Sequence, residues 1–128
     1  MERNIGITLC FRYDVILIRN KTIKDLQMPK YIHVLINEDE KAVFIQKCEY
    51  DQDAFEVRFE HLKKDGSLLM YYKINAKPLL RYFARLLGVG FDSESFWFSG
   101  ILLDDGVTVY VDLKKYQIIP YDKMKTLN

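Results

Sequence analysis

Apolar and polar residues alternate along much of the chain with the period of two that is typical of half-buried β-strands. In the first half this pattern predicts strands over 5–13 and 15–19, the second of them apolar on both faces. It also predicts a hairpin over 31–48, with the polar turn Glu38-Asp39-Glu40 between its two strands. The region therefore starts with two strands and ends with a hairpin.

Two stretches change to helical spacing. Thr22 and Asp25 approximate a capping box, with Asn20 as a competing cap, and Pro29 ends a first helix of about two turns over 22–27. A longer helix is predicted over 76–87, because its apolar residues recur three and four positions apart and Gly88 follows as a C-cap. The apolar stripe of this helix consists of Leu79, Leu80, Phe83, Leu86 and Leu87.

The rest of the second half again shows the alternation that predicts strands. We predict an edge strand near 55–60, an aromatic-rich strand over 67–74 and a hairpin over 96–113. Asp104-Asp105-Gly106 is a strong signal for the turn of that hairpin. A short final strand is expected over 116–120, and 122–128 is expected to be a frayed tail.

The order strand, helix, hairpin thus occurs twice, which indicates an internal pseudo-repeat of 5–50 and 66–120 with a break near 49–65. The interpretation is a single domain, 1–128, of α+β class. Two tandem strand-helix-hairpin halves would form one β-rich, pseudo-dimeric unit. If the halves are true repeats, they should superpose about an approximate two-fold axis.

Composition agrees with one domain that has its own core. The chain has 128 residues, of which 49% are hydrophobic, and its net charge is +1. This charge excludes a strongly polybasic nucleic-acid module. No apolar run of about 18 residues is present, and the polar start is unlike a signal peptide, so a cytoplasmic protein without membrane spans is expected. Cys10 and Cys48 are expected to be free thiols of a cytosolic protein.

Catalytic and metal-binding motifs are missing from the sequence. Cys10, His33, Cys48 and His61 are scattered without metal-ligand spacing, and no nucleophile signature or phosphate-binding glycine loop occurs. We therefore expect a protein that is not an enzyme and has no cofactor. The paired acidic residues lie in predicted turns, where turn geometry and hydration explain them.

Basic residues form two candidate sets for binding DNA or another partner. Lys77, Arg81 and Arg85 recur every four residues, so they share one face of the long helix. A face that is simply solvated is the alternative interpretation. The second set, which surrounds the first helix, is Arg12, Arg19, Lys21 and Lys24.

Aromatic residues cluster in the second half and are the other candidate surface. They are Tyr71, Tyr72, Phe96, Trp97 and Phe98. The last three would place aromatic rings on both faces of one strand, so both faces are covered or one of them binds a partner. Packing in the core is the favoured interpretation.

The run ILIRNKTIKDLQMPKYIHVLINEDEKAVFIQK resembles the swapped-hairpin fold of AbrB-like and MazE-like DNA-binding proteins. YYKINAKPLLRYFARLLG and ILLDDGVTVYVDL follow the same outline in the second half. The resemblance implies a fused swapped-hairpin pair, and it places Arg12, Arg19, Lys21 and Lys24 where that family contacts DNA. The stretch L-x-x-P-x-Y-I…L-I-N is also similar to short proteins of Firmicutes and their mobile elements.

Two functions follow as expectations. The first is a small DNA-binding transcriptional regulator of AbrB-like type, either a monomer with an internal pseudo-dimer or a homodimer. The alternative is a phage or mobile-element protein that binds and inhibits a host defence protein, as anti-CRISPR proteins do. It would use the acidic turns and aromatic patches instead of the basic faces.

Overall fold

The computed structural model describes residues 2–64, 67–90 and 94–119. In this part of the chain there are ten strands and two α-helices. The helices are α1 (Asn20–Asp25) and α2 (Lys77–Leu87), and a 3-10 turn spans Phe11–Tyr13. The strands are β1 (Glu2–Cys10), β2 (Val15–Ile18), β3 (Tyr31–Asn37), β4 (Ala42–Cys48), β5 (Phe55–Glu56), β6 (Arg58–Lys64), β7 (Ser67–Ile74), β8 (Ser95–Leu102), β9 (Thr108–Asp112) and β10 (Gln117–Ile119).

All described strand pairs are antiparallel and belong to one sheet, in the order β5-β3-β4-β9-β8-β1-β2-β7-β6, with β10 pairing with β8. β5 and β6 lie at opposite ends of this order, although Val57 alone separates them in sequence. The N–H of Val57 donates to the carbonyl of Lys30 at 2.9 Å. Residues 55–64 therefore run from one sheet edge to the other and make the sheet nearly closed and barrel-like.

The inner face of the barrel is apolar around most of its circumference. Ile7 lies between Ile18 of β2 and Phe98 of β8, and the three side chains are buried. On the far side, Val43 of β4 opposes Val111 of β9. Directly opposed residues of antiparallel strands share a face, so these rows converge on one core. Each fully buried side chain of this kind stabilises the fold by about 1.5–3 kcal/mol.

The two helices cover opposite ends of the barrel. α1 starts immediately after β2, whereas α2 follows Ile74, which opposes Ile16 near the beginning of β2. α2 forms because Pro78 suits its first turn and Gly88 accepts the left-handed φ of 72° that ends it. Leu80 and Phe83 bury the apolar side of α2 over the core.

The predicted α+β fold of tandem strand-helix halves, a fused swapped-hairpin pair, is wrong. The described residues form mostly antiparallel β-structure in one nearly closed sheet with two helices. The reason is that strands from the two parts of the chain pair with each other, β2 with β7 and β4 with β9, so neither part has a sheet of its own. Residues 55–64, in the expected break, are strands of that sheet.

The order of elements does recur along the chain, as β2-α1-β3-β4 and β7-α2-β8-β9. Whether 5–50 and 66–120 superpose about a two-fold axis stays a prediction. The expected tail, 122–128, lies outside the described residues.

The individual strands and helices agree with the sequence prediction better than the fold class does. β3 and β7 begin and end at the predicted residues, and α2 starts one residue later than predicted. α1 begins earlier than the predicted first helix because Thr22 does not cap it. The Thr22 side chain is buried instead, and its hydroxyl accepts the N–H of Gly6 at 2.7 Å.

Replacing Phe83 with Ala should lower the free energy of unfolding by about 3–5 kcal/mol, since it removes a buried ring from the core. Phe83 is 1% exposed. Denaturant titration of wild type and variant measures the loss. Tyr50→Ala is the control, because Tyr50 is 72% exposed. A loss below about 1 kcal/mol for Phe83→Ala would contradict the burial of this stripe.

Candidate functional site

Arg19, a predicted DNA contact, has a structural role. Its Nη1 donates to the carbonyl of Ile5 at 3.0 Å, and its guanidinium carbon lies 4.3 Å from the centroid of the Trp97 ring. Burial lowers the pKa of Arg19 to about 10, so it remains a cation at neutral pH. A guanidinium that stacks on an indole and binds a main-chain carbonyl gains its stabilisation within the protein.

The other basic residues of α1 do not make a continuous cationic face. Lys21 Nζ lies 3.0 Å from the Asp25 carboxylate, one turn along the helix. Lys24 is exposed. These three residues, together with Arg19 and Asn20, line an open surface depression of about 600 Å³. The nearby carboxylate lowers the positive potential that a phosphate would meet there.

Arg12 lies at the other end of β2, away from α1. It belongs to the 3-10 turn before β2, and Asp14 of the same connection lies 3.7 Å from Lys77 Nζ at the start of α2. Arg81 and Arg85 follow on the same face of α2, as their spacing predicts, and both are exposed. The structure thus divides the seven predicted cations, and Arg12, Lys77, Arg81 and Arg85 form one of the resulting sets, the α2 cation group.

The predicted aromatic cluster does not lie on one surface. Phe96 and Phe98 point into the barrel and are buried. Trp97, between them, faces outward and is covered by Arg19. Tyr72 is half-buried, with its ring 5.0 Å from that of Phe59. Packing in the core, the favoured interpretation, therefore applies to Phe96 and Phe98.

A different apolar surface lies on the outside of the sheet. Leu35 of β3 opposes Phe44 of β4, Phe44 opposes Tyr110 of β9, and Tyr110 opposes Ile101 of β8. Leu35 is 49% exposed and Ile101 is 42% exposed, and the rings of Phe44 and Tyr110 are 5.5 Å apart. We call these four residues the outer row. They form a continuous apolar strip across four strands.

Sequence reasoning missed the outer row because its members are distant along the chain. Each is an apolar residue at an outward position of a strand, which is unremarkable when taken singly. Only the pairing of β4 with β9 brings the first two next to the last two. The signal that could have found them is the apolar character of both faces in these strands.

Two carboxylates on one side of the outer row are held ionised by local hydrogen bonds. Main-chain N–H groups of Val107 and Thr108 donate to Asp105, and the Thr108 hydroxyl donates at 2.7 Å. These bonds lower the pKa of Asp105. Burial opposes ionisation of Asp51, but hydrogen bonds from His33 and from the Asp53 N–H outweigh it and lower the Asp51 pKa. Both side chains are therefore negative at neutral pH.

Cys48, His33 and Asp51 lie close together on the outer face and invite comparison with a nucleophile, base and acid. His33 Nε2 is 2.7 Å from Asp51 Oδ2, and Cys48 ends the neighbouring strand. Burial, and then the charges of Asp51 and Glu49, raise the pKa of Cys48. A catalytic thiol needs the opposite shift, so the arrangement does not activate this cysteine.

Metal-ligating side chains are not clustered in the described part of the chain. Within residues 2–64, 67–90 and 94–119, no three His, Cys, Asp or Glu side chains are grouped so that they could hold a metal ion. Neither of the helices found in these ranges is long and apolar enough to cross a membrane.

The two free cysteines should differ sharply in reactivity. Cys10 is 1% exposed, and burial raises its pKa to about 11, whereas Cys48 is half-buried near the end of β4. A thiol reagent at pH 8 should therefore modify Cys48 first and Cys10 only after unfolding. Peptide mass spectrometry of native and denatured protein measures the order. Equal labelling in the native state would contradict the packing of β1.

No protein-family model matches the sequence, and no similar curated protein or solved structure was found. The resemblance to AbrB-like and MazE-like proteins is therefore untested by these comparisons. Function has to be argued from the surfaces themselves.

Proposed function

We propose that this chain is a non-catalytic binding protein that docks a protein partner through the outer row. The observation that carries the proposal is the alignment of Leu35, Phe44, Tyr110 and Ile101 across four paired strands. Contiguous exposed apolar strips are rare on monomeric proteins and mark interaction sites. Aromatic residues at their centre supply most of the binding energy in typical interfaces.

The row has properties that a binding face needs. Its four strands are held by main-chain pairing on the sheet, so the side chains are presented by a rigid scaffold. The core is built by the opposite face of the same strands, from residues such as Val43 and Val109. The exposed apolar area is therefore additional to what folding requires. A cytoplasmic location is part of this proposal.

A photo-crosslinking amino acid at position 110 should capture the partner. We expect p-benzoylphenylalanine in place of Tyr110 to give one dominant crosslinked protein in cells of the native host, identified by mass spectrometry. The complex is then rebuilt from purified components. Leu35→Ser and Ile101→Ser should each weaken it at least tenfold, because each removes exposed apolar contact area from the interface.

Matched controls use apolar residues elsewhere on the surface. Tyr116, 46% exposed, receives the same crosslinker, and Ile118, 51% exposed, is changed to Ser. Neither should affect the complex. Equal crosslinking from positions 110 and 116, or a rebuilt complex insensitive to Leu35→Ser, would refute docking at the outer row.

DNA binding is the second candidate function, and the α2 cation group favours it. Arg12, Lys77, Arg81 and Arg85 lie at one end of the barrel, on α2 and on the connection that α2 contacts. Guanidinium groups spaced along one helix face can follow a phosphate backbone. Asp14, beside Lys77, weakens the group, and Arg81 and Arg85 are exposed to solvent on α2.

If the α2 cation group binds DNA, Arg81→Ala and Arg85→Ala should weaken binding to duplex DNA. Each should also reduce the slope of log affinity against log salt by about one for each phosphate that is no longer neutralised. Titration at several salt concentrations measures both quantities. Lys24→Ala, at the opposite end of the barrel, is the control and should change neither. Absence of DNA binding by wild type at low salt would end this candidate.

A further inference from the structure

The charges of the molecule are unevenly distributed along the chain, although the net charge is only +1. Residues 31–53 and 101–115, which contain the outer row, its turns and the residues directly after β9, carry nine carboxylate side chains and four lysines. Residues 12–25 and 71–87, which contain both helices, carry eight lysines and arginines and two carboxylates. The outer row therefore lies in a negative field.

The carboxylates lie along both long sides of the outer row, where its strands end. On one side the turn between β3 and β4 holds Glu38, Asp39 and Glu40, and Asp112 of β9 opposes Ala42 beside it. On the other side lie the turn between β8 and β9 and the segment after β4, which contribute Asp104, Asp105, Glu49, Asp51 and Asp53. An apolar centre with a charged rim is the usual anatomy of a protein interface.

Basic residues offset part of this charge on the side of the β3–β4 turn. Lys41 follows Glu40, and Lys114 and Lys115 follow Asp112. Glu38 lies beside Tyr82 of α2, which also lies near Arg85. Lys47 is on the inner side of β4, where its Nζ donates to Gln27 Oε1 at 3.1 Å, near the end of α1. The negative field is consequently strongest on the side of the β8–β9 turn and the segment after β4.

The negative sign of this field indicates which kind of molecule binds the outer row. A second copy docked row against row would bring the two carboxylate rims together, and nucleic acid would bring phosphates to them. Both arrangements place like charges across an interface, which costs several kcal/mol for close pairs. A surface rich in lysine and arginine would instead be attracted and oriented before contact.

We infer that the outer row binds a cationic protein surface whose basic groups surround an apolar centre. This inference rests on the proposed function and names the partner class of the same site. Apolar contacts with Tyr110 and Phe44 supply the affinity, and the carboxylate rim supplies attraction and orientation.

Fluorescein-labelled twelve-residue peptides test the inference by fluorescence anisotropy. The probe alternates Arg and Leu, a matched peptide alternates Arg and Ser, and a third alternates Glu and Leu. Wild type should bind the Arg/Leu peptide at least tenfold more tightly than either of the others. Raising salt from 50 to 300 mM should weaken this binding, because the rim attraction is screened.

Variants of the protein test whether the Arg/Leu peptide binds to the outer row and to the carboxylates beside it. Neutralising the turn with Glu38→Gln, Asp39→Asn and Glu40→Gln should weaken Arg/Leu binding at least fivefold, and so should Leu35→Ser. A matched control neutralises three carboxylates elsewhere, Asp14→Asn, Asp25→Asn and Glu60→Gln, and should change the affinity less than twofold.

Each outcome bears on one proposal. If the Glu/Leu peptide binds as tightly as the Arg/Leu peptide and Leu35→Ser removes both, a cationic partner is refuted while docking at the row stands. If no peptide binds, or if the turn and control variants act alike, the inference is refuted. The crosslinking from position 110 then decides the proposed function independently.

Discussion

The first strand and the first helix are held together by the close approach of the chain to Gly6. The Thr22 hydroxyl accepts the N–H of Gly6 at 2.7 Å and donates to its carbonyl, and the Arg19 N–H donates to the same carbonyl at 3.2 Å. Gly6 has a φ of 147°, and a Cβ there would overlap the Phe98 carbonyl. Only glycine therefore allows α1, β1 and β8 to meet at this point.

This junction also decides which basic residues remain available for function. Arg19 follows β2 directly, so the turn into α1 directs its side chain across β1 onto Trp97. A guanidinium used to hold three elements together cannot also read a phosphate backbone. Arg19, which the sequence predicts as a DNA contact, thus stabilises the fold. The cations of α2 are exposed to solvent, as binding requires.

The sequence was informative wherever structure depends on neighbouring residues. The alternation over β3 and β7, the stripe of α2 and the turn at Asp104-Asp105-Gly106 were all predicted, because burial of one face gives each element its own period. The fold class was not, because local periodicity carries no information on which distant strands pair. The outer row depends on the β4–β9 pairing, and the role of Thr22 depends on its contact with Gly6.

The uneven distribution of charge links the fold to the proposed binding. Residues 55–64 join the acidic outer face, around β3, β4 and β9, to the part of the barrel around α1, β2, β7 and α2, where basic residues outnumber acidic ones. The two regions meet at the β3–β4 turn, because Glu38 lies beside Tyr82 of α2. The carboxylates of the β8–β9 turn and of the segment after β4 lie away from α2, so a basic partner is attracted to that side of the outer row and an acidic one is repelled. Discrimination of this kind depends on where the charges lie and is invisible to net charge.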